Sequence, residues 1–122
     1  MNELPPQIQN QLAQLQQIQQ QAQAIMQQKN QVEMVLRETD RAFEELKKTE
    51  DDAVVYKAAG ELLVKANKEE VLKELEEKKD SLEVRLKSLA RQEERIQAKF
   101  TQLQDQLKAA LGKGPAGGKE AS

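Results

Sequence analysis

The sequence predicts a mainly α protein: a long antiparallel two-helix coiled coil with one β-hairpin connecting the helices. Three observations predict it. Two heptad patterns, each unbroken for nearly six repeats, occupy the two halves of the chain. The segment between them is rich in β-branched and large apolar residues around a single glycine, Gly60. The composition, finally, is that of long helices: one third of the residues are charged and only Phe43, Tyr56 and Phe100 are aromatic, too few large rings to fill a globular centre.

The first helix is expected over about 6–48. Pro5 and Pro6 suit its first turn, where a missing N–H costs little. With Ile8, Leu15, Ala22, Lys29, Leu36 and Phe43 at a positions, the d positions are Gln11, Ile18, Ile25, Val32, Thr39 and Leu46; nine of these twelve are apolar. The second helix is expected over about 68–111, opened by Asn67 as a cap with Glu70 three residues on. Its a positions are Leu72, Lys79, Leu86, Glu93, Phe100 and Leu107, and its d positions Leu75, Leu82, Leu89, Ile96, Leu103 and Ala110; ten of these twelve are apolar. Gly112 is placed to end this helix, with Lys108 favourable near its negative terminus.

Each run spans roughly 40 residues, or about 60 Å of helix. Covering each seam Leu or Ile is worth about 1.5–3 kcal/mol, so the two stripes are expected to meet. The link of about 20 residues is read as too short to let the second helix run parallel beside the first. The pair is therefore antiparallel, with both termini at one tip. One domain follows over 1–111, and the tail 112–122, GKGPAGGKEAS, is expected to be flexible.

The link over about 53–66 reads as two strands. Gly60–Glu61 fits a two-residue type II′ turn, with glycine supplying the positive φ; Ala59–Gly60 would leave the side-chain partition unchanged. One face then carries Val55, Lys57, Ala59, Leu62, Val64 and Ala66, the other Val54, Tyr56, Ala58, Leu63 and Lys65. Both are mainly apolar, and a lone hairpin is barely stable in water. Val54, Val55, Tyr56, Ala58, Gly60, Leu62, Leu63 and Val64 are thus read as an oligomerisation element, through which subunits pair into a shared sheet or barrel. The blander alternative is that the hairpin folds onto its own helices.

No enzyme is visible. The chain lacks His and Cys, which removes imidazole acid–base work, thiol nucleophiles, disulfides and thiolate metal sites. It has no phosphate-cradling glycine motif, and its acids lie in runs such as EELKK and KELEEKK, the pattern of solvated surface pairs. No catalytic residue, cofactor or metal is expected. A net charge of −2 and the scarcity of stacking side chains speak against nucleic acid. No run of about 18 apolar residues exists to span a membrane. The opening MNELPPQIQNQ has neither the basic nor the apolar region of a signal peptide, so a cytoplasmic location is expected.

The order of helix, Tyr-containing strand, glycine turn, apolar strand and returning helix resembles the archaeal prefoldin β-type subunits. The resemblance rests on VVYKAAGELLVKANKEEVLKELEEKK, Val54 to Lys79, with support from the Gln-rich opening and from RLKSLARQEERI in the second helix. There is room for one hairpin only, where the related α-type subunit has two. The resemblance implies a hexamer of two α-type and four β-type subunits whose hairpins form a double β-barrel. It also implies six coiled coils that clasp unfolded polypeptides at their tips without ATP, as a holdase chaperone, and pass them to a group II chaperonin.

The free helix ends then become the candidate client-binding surface: Leu4, Ile8, Leu12 and Leu15 from one helix, Leu103, Leu107 and Leu111 from the other. Leu15, Leu103 and Leu107 also suffice to complete the seam. Leu12 and Leu111 sit at e positions and Leu4 lies ahead of the helix, so exposure is expected for these three. Thirteen of the 25 residues from Gln7 to Gln31 are glutamine, a neutral helix-forming surface beside the seam. The competing function is a passive coiled-coil scaffold or tether for one defined partner, which has no need of surplus apolar side chains at its free end.

Overall fold

The computed structural model of the chain describes residues 4–112. Its elements are α1 (Pro6–Lys47), β1 (Val55–Ala59), β2 (Leu62–Ala66) and α2 (Lys68–Gly112). Of the described residues, those up to Gln28 gather with Leu89–Gly112 into one compact unit, and Lys29–Ser88 form another. Each unit thus pairs one half of α1 with the opposite half of α2, and the helices run antiparallel.

Local chemistry sets the ends of α1. The Gln9 amide donates to the Pro5 carbonyl at 3.0 Å, which places Pro6 at the first helical position. At the other end, the Lys48 and Thr49 amides bond carbonyls three residues back, those of Glu45 and Leu46, and the Thr49 hydroxyl adds a 2.7 Å bond to Leu46. This tightened last turn stops the helix. Asn67 opens α2 as a cap, its Oδ1 accepting from the amides of Glu69 at 2.9 Å and Glu70 at 3.3 Å. The helix continues through Gly112, one residue beyond the expected end. The expected flexible tail from 113 on lies outside the described residues.

The heptad register is visible in the burial. All twelve a and d positions of α1, and all twelve of α2, are buried or half-buried. In the first unit Ile8, Ile18, Ile25, Leu89 and Leu103 are buried; in the second, Val32 and Thr39 are. Thr39, a polar break at a d position, is accommodated by its hydroxyl donating to the Val35 carbonyl at 2.7 Å, one turn back. Lys79, a cation at an a position, turns its ammonium to the Asp40 carboxylate at 2.7 Å and over the Phe43 ring at 5.6 Å. No described side chain is wholly shielded. Two helices cover only one strip of each other, and the remaining faces stay wet.

β1 and β2 pair antiparallel from Val55 opposite Ala66 to Ala59 opposite Leu62, so the loop is Gly60–Glu61. Gly60 has φ of +66°, and no described non-glycine residue has a positive φ, which matches the first position of a type II′ turn. The register puts Tyr56 opposite Lys65 and Ala58 opposite Leu63 on one face. Lys57 opposite Val64 lies on the other. The α1–β1 link is fastened by Lys68, whose largely buried side chain donates to the Thr49 carbonyl at 2.7 Å and approaches Asp51 at 3.4 Å. A cation thereby meets the carbonyl-rich end of α1.

Candidate functional site

Two surfaces carry the residues singled out by sequence. The first is the hairpin. Its Lys57 ammonium holds both carboxylate oxygens of Glu74, at 3.1 and 3.2 Å, so the face bearing Val55, Lys57, Ala59, Leu62, Val64 and Ala66 is tied to the opening turns of α2. Even so, only Val55 and Ala66 on that face are half-buried, while Leu62 and Val64 stay exposed. The opposite face is open throughout: Val54, Tyr56, Ala58 and Leu63 all meet solvent, and Leu63 keeps 73% of its surface.

The sheet has two strands, so each strand also presents an outer edge of unpaired amides and carbonyls among the described residues. An apolar sheet with open faces and open edges is a surface in want of a partner. The ionic tie of Lys57 to Glu74 is itself exposed and worth little, about 0–1 kcal/mol. It orients the hairpin more than it holds it.

The second surface lies in the first unit, where α1 begins and α2 ends. The structure sorts the seven candidate residues by depth. Ile8 and Leu103 are buried, with 6% and 9% of their surface exposed, and Leu15 and Leu107 are half-buried. Leu12 and Leu111, at e positions, keep 41% and 54%, and Leu4 is exposed as well. The seam is thus completed by the first four and flanked by the last three.

Two grooves open here. One, of about 680 Å³, runs between the helix ends and is lined by Pro5, Gln7, Ile8, Gln11, Gln106 and Ala110 among others. The other, of about 470 Å³, lies along α1 and is lined by Gln9, Leu12, Ala13, Leu15, Gln16 and Gln19. In the first, the Gln11 side-chain oxygen is shielded and has no hydrogen-bond partner among the described residues.

Sequence reasoning passed over three further exposed apolar side chains, Met26, Met34 and Val84. The register offered the signal, since they fall at e and f positions, away from the seam. Among the described residues no helix is long and apolar enough to cross a membrane, and no group of three or more acidic side chains is placed to hold a metal ion.

Known proteins resemble this chain in sequence and in fold. The family model described as prefoldin subunit matches residues 9–114. The prefoldin subunit beta of Methanocella arvoryzae is 74% identical over 122 residues, covering 97% of each chain. That of Methanothrix thermoacetophila is 56% identical over 116 residues, covering 95% of this chain and 97% of its own. Among solved structures, the prefoldin beta subunit from Thermococcus strain KS-1 superposes with a TM-score of 0.84 at 45% identity, over 91% of this chain and 97% of that one.

Proposed function

The chain belongs to the prefoldin family, and on that premise we propose that it serves as a β-type subunit of an ATP-independent holdase chaperone, binding non-native proteins at its helix ends and delivering them to a group II chaperonin. Membership implies assembly with other prefoldin subunits. The finer reading is a cytoplasmic hexamer of two α-type and four β-type chains, joined through Val54, Val55, Tyr56, Ala58, Gly60, Leu62, Leu63 and Val64.

The observation that carries the client-binding role is the exposure of Leu4, Leu12 and Leu111 beside a seam that Ile8, Leu15, Leu103 and Leu107 already complete. Apolar side chains without a partner in their own subunit are available to an apolar segment of another chain. Each such contact is weak; several subunits engaging one client raise the effective affinity, since every binding event after the first is intramolecular. Terminal helical turns that open at little cost add adaptability. No step of this action requires a reactive group.

The test is suppression of aggregation of a chemically denatured protein, without nucleotide, by the assembled parent and by a variant with Leu12, Leu107 and Leu111 changed to Ser. The variant is expected to keep the parent's mass and lose most of its protection. Undiminished protection would refute the assignment of the helix ends and favour a scaffold.

A further inference from the structure

We propose that the α1 side of the helix ends takes extended, apolar client segments irrespective of their charge, an apolar client side chain entering the groove at Leu12 and Leu15 while the amides of Gln16 and Gln19 meet the client backbone. The proposal rests on the client-binding reading above and specifies the chemistry of that surface.

The carrying observation is electrostatic. One third of the chain is charged, yet from Leu4 to Gln28, twenty-five consecutive residues, no side chain carries a charge. The facing stretch of α2 is ordinary in this respect, with Arg95, Lys99, Asp105 and Lys108 among its residues. The blank therefore belongs to one helix, and it coincides with the groove of about 470 Å³ that only α1 residues line.

That lining has two kinds of group. Leu12 and the half-buried Leu15 supply apolar surface. Gln16 and Gln19 are exposed beside them, and no hydrogen bond to another described residue occupies either side chain. Gln9 is different: its amide nitrogen donates to the Leu4 carbonyl at 2.8 Å and helps hold the start of the helix.

A primary amide offers both donors and acceptors, the complement of a peptide backbone, which any extended client presents whatever its sequence. Charged side chains in the same places would have discriminated by sign. They would act over a Debye length of about 10 Å at 0.1 M salt, enough to cover the groove. An uncharged lining removes that discrimination and leaves apolar content as the selecting property.

The test compares two unstructured peptides of equal leucine content, one with lysine flanks and one with glutamate flanks, binding to the full chain in its assembled state. The parent is expected to bind both within about twofold and to change little with salt, because the α1 lining of the groove holds no fixed charge and the charges of the facing stretch sit on the other helix. Gln16→Glu with Gln19→Glu, which keeps helix propensity and side-chain length, is expected to weaken the glutamate-flanked peptide by about threefold to tenfold and to spare or strengthen the other. Gln16→Arg with Gln19→Arg is expected to reverse the preference.

Equal binding of both peptides to all three proteins would overturn the proposal, as would a strong charge preference in the parent. Leu12→Ser distinguishes the two levels of the reading. If it abolishes binding of both peptides while the glutamine variants change nothing, the client-binding role stands and the amide face fails. If it also changes nothing, the client-binding role itself fails.

Discussion

The Lys79 ammonium lies 2.7 Å from the Asp40 carboxylate, joining an a position of α2 to an e position of α1. The same cation stands 5.6 Å from the centre of the Phe43 ring, and Lys47 approaches that ring from 5.2 Å. A polar residue at a seam position costs stability but favours the register in which its partner is within reach. Here Asp40 is the carboxylate within ion-pair distance.

The pair has a pH signature. The hydrogen bond to Asp40 raises the Lys79 pKa above its ordinary 10.5, against a smaller desolvation effect that lowers it, with the charges of Asp40, Glu83 and Glu44 adding to the rise. A lysine whose folded pKa is raised adds stability that is complete below 10.5 and is lost as pH climbs through the folded value. Thermal midpoints measured across that alkaline range should fall more steeply for the parent than for Asp40→Ala, which removes both the hydrogen bond and the charge beside it. Matching slopes would contradict the assignment.

Gly60 is the residue the hairpin can least replace. Its φ of +66° disfavours any side chain, yet an added Cβ would meet nothing within 4 Å. The expected cost of Gly60→Val is therefore backbone strain without a clash, about 1–2 kcal/mol. Urea unfolding should show a lower midpoint with an unchanged slope.

Asn67 caps α2 through two amide hydrogen bonds. Asn67→Ala is expected to cost about 0.5–2 kcal/mol, and Asn67→Ser to restore most of it, since a hydroxyl serves the same role. Thermal denaturation of the two variants side by side checks the order.

The open face of the hairpin should govern assembly. Tyr56→Lys with Leu63→Lys puts charges on side chains that touch little in their own subunit. Secondary structure by circular dichroism is expected to persist while the mass in solution falls to that of smaller species. Retention of the full assembly mass would place the subunit contact elsewhere.

Much of the fold was legible because it is periodic. Every a and d position of the heptad assignment, from Ile8 to Leu46 and from Leu72 to Ala110, is buried or half-buried, and flanking residues such as Val35 and Ala90 are half-buried beside them. Gly60 marked the turn, and its side-chain partition is the one the strand register shows. Asn67 read as a cap and is one.

What escaped is lateral and depends on how neighbouring elements meet, for which sequence has no period. Lys79 looked like a break in the seam, and only the rotamer shows that Asp40 receives it. Lys68 opens a helix, where a cation is unfavourable, and is explained only by its reach to the Thr49 carbonyl. The tie from Lys57 to Glu74, which lies on the hairpin face turned to α2, likewise has no local signature. Of the candidate client-binding residues, heptad position alone separated exposed Leu12 and Leu111 from seam-bound Leu103, though all seven share the same chemistry.

The proposed holding surface is tested most directly by photo-crosslinking. A photoreactive residue placed in turn at position 12, 111 or 87 would be irradiated in the assembled protein with a chemically denatured client. Lys87 is exposed on α2 outside the unit that holds the helix ends. Client adducts are expected at 12 and 111 and not at 87; equal yields at all three, or adducts confined to 87, would contradict the assignment of the helix ends as the place where non-native chains are held.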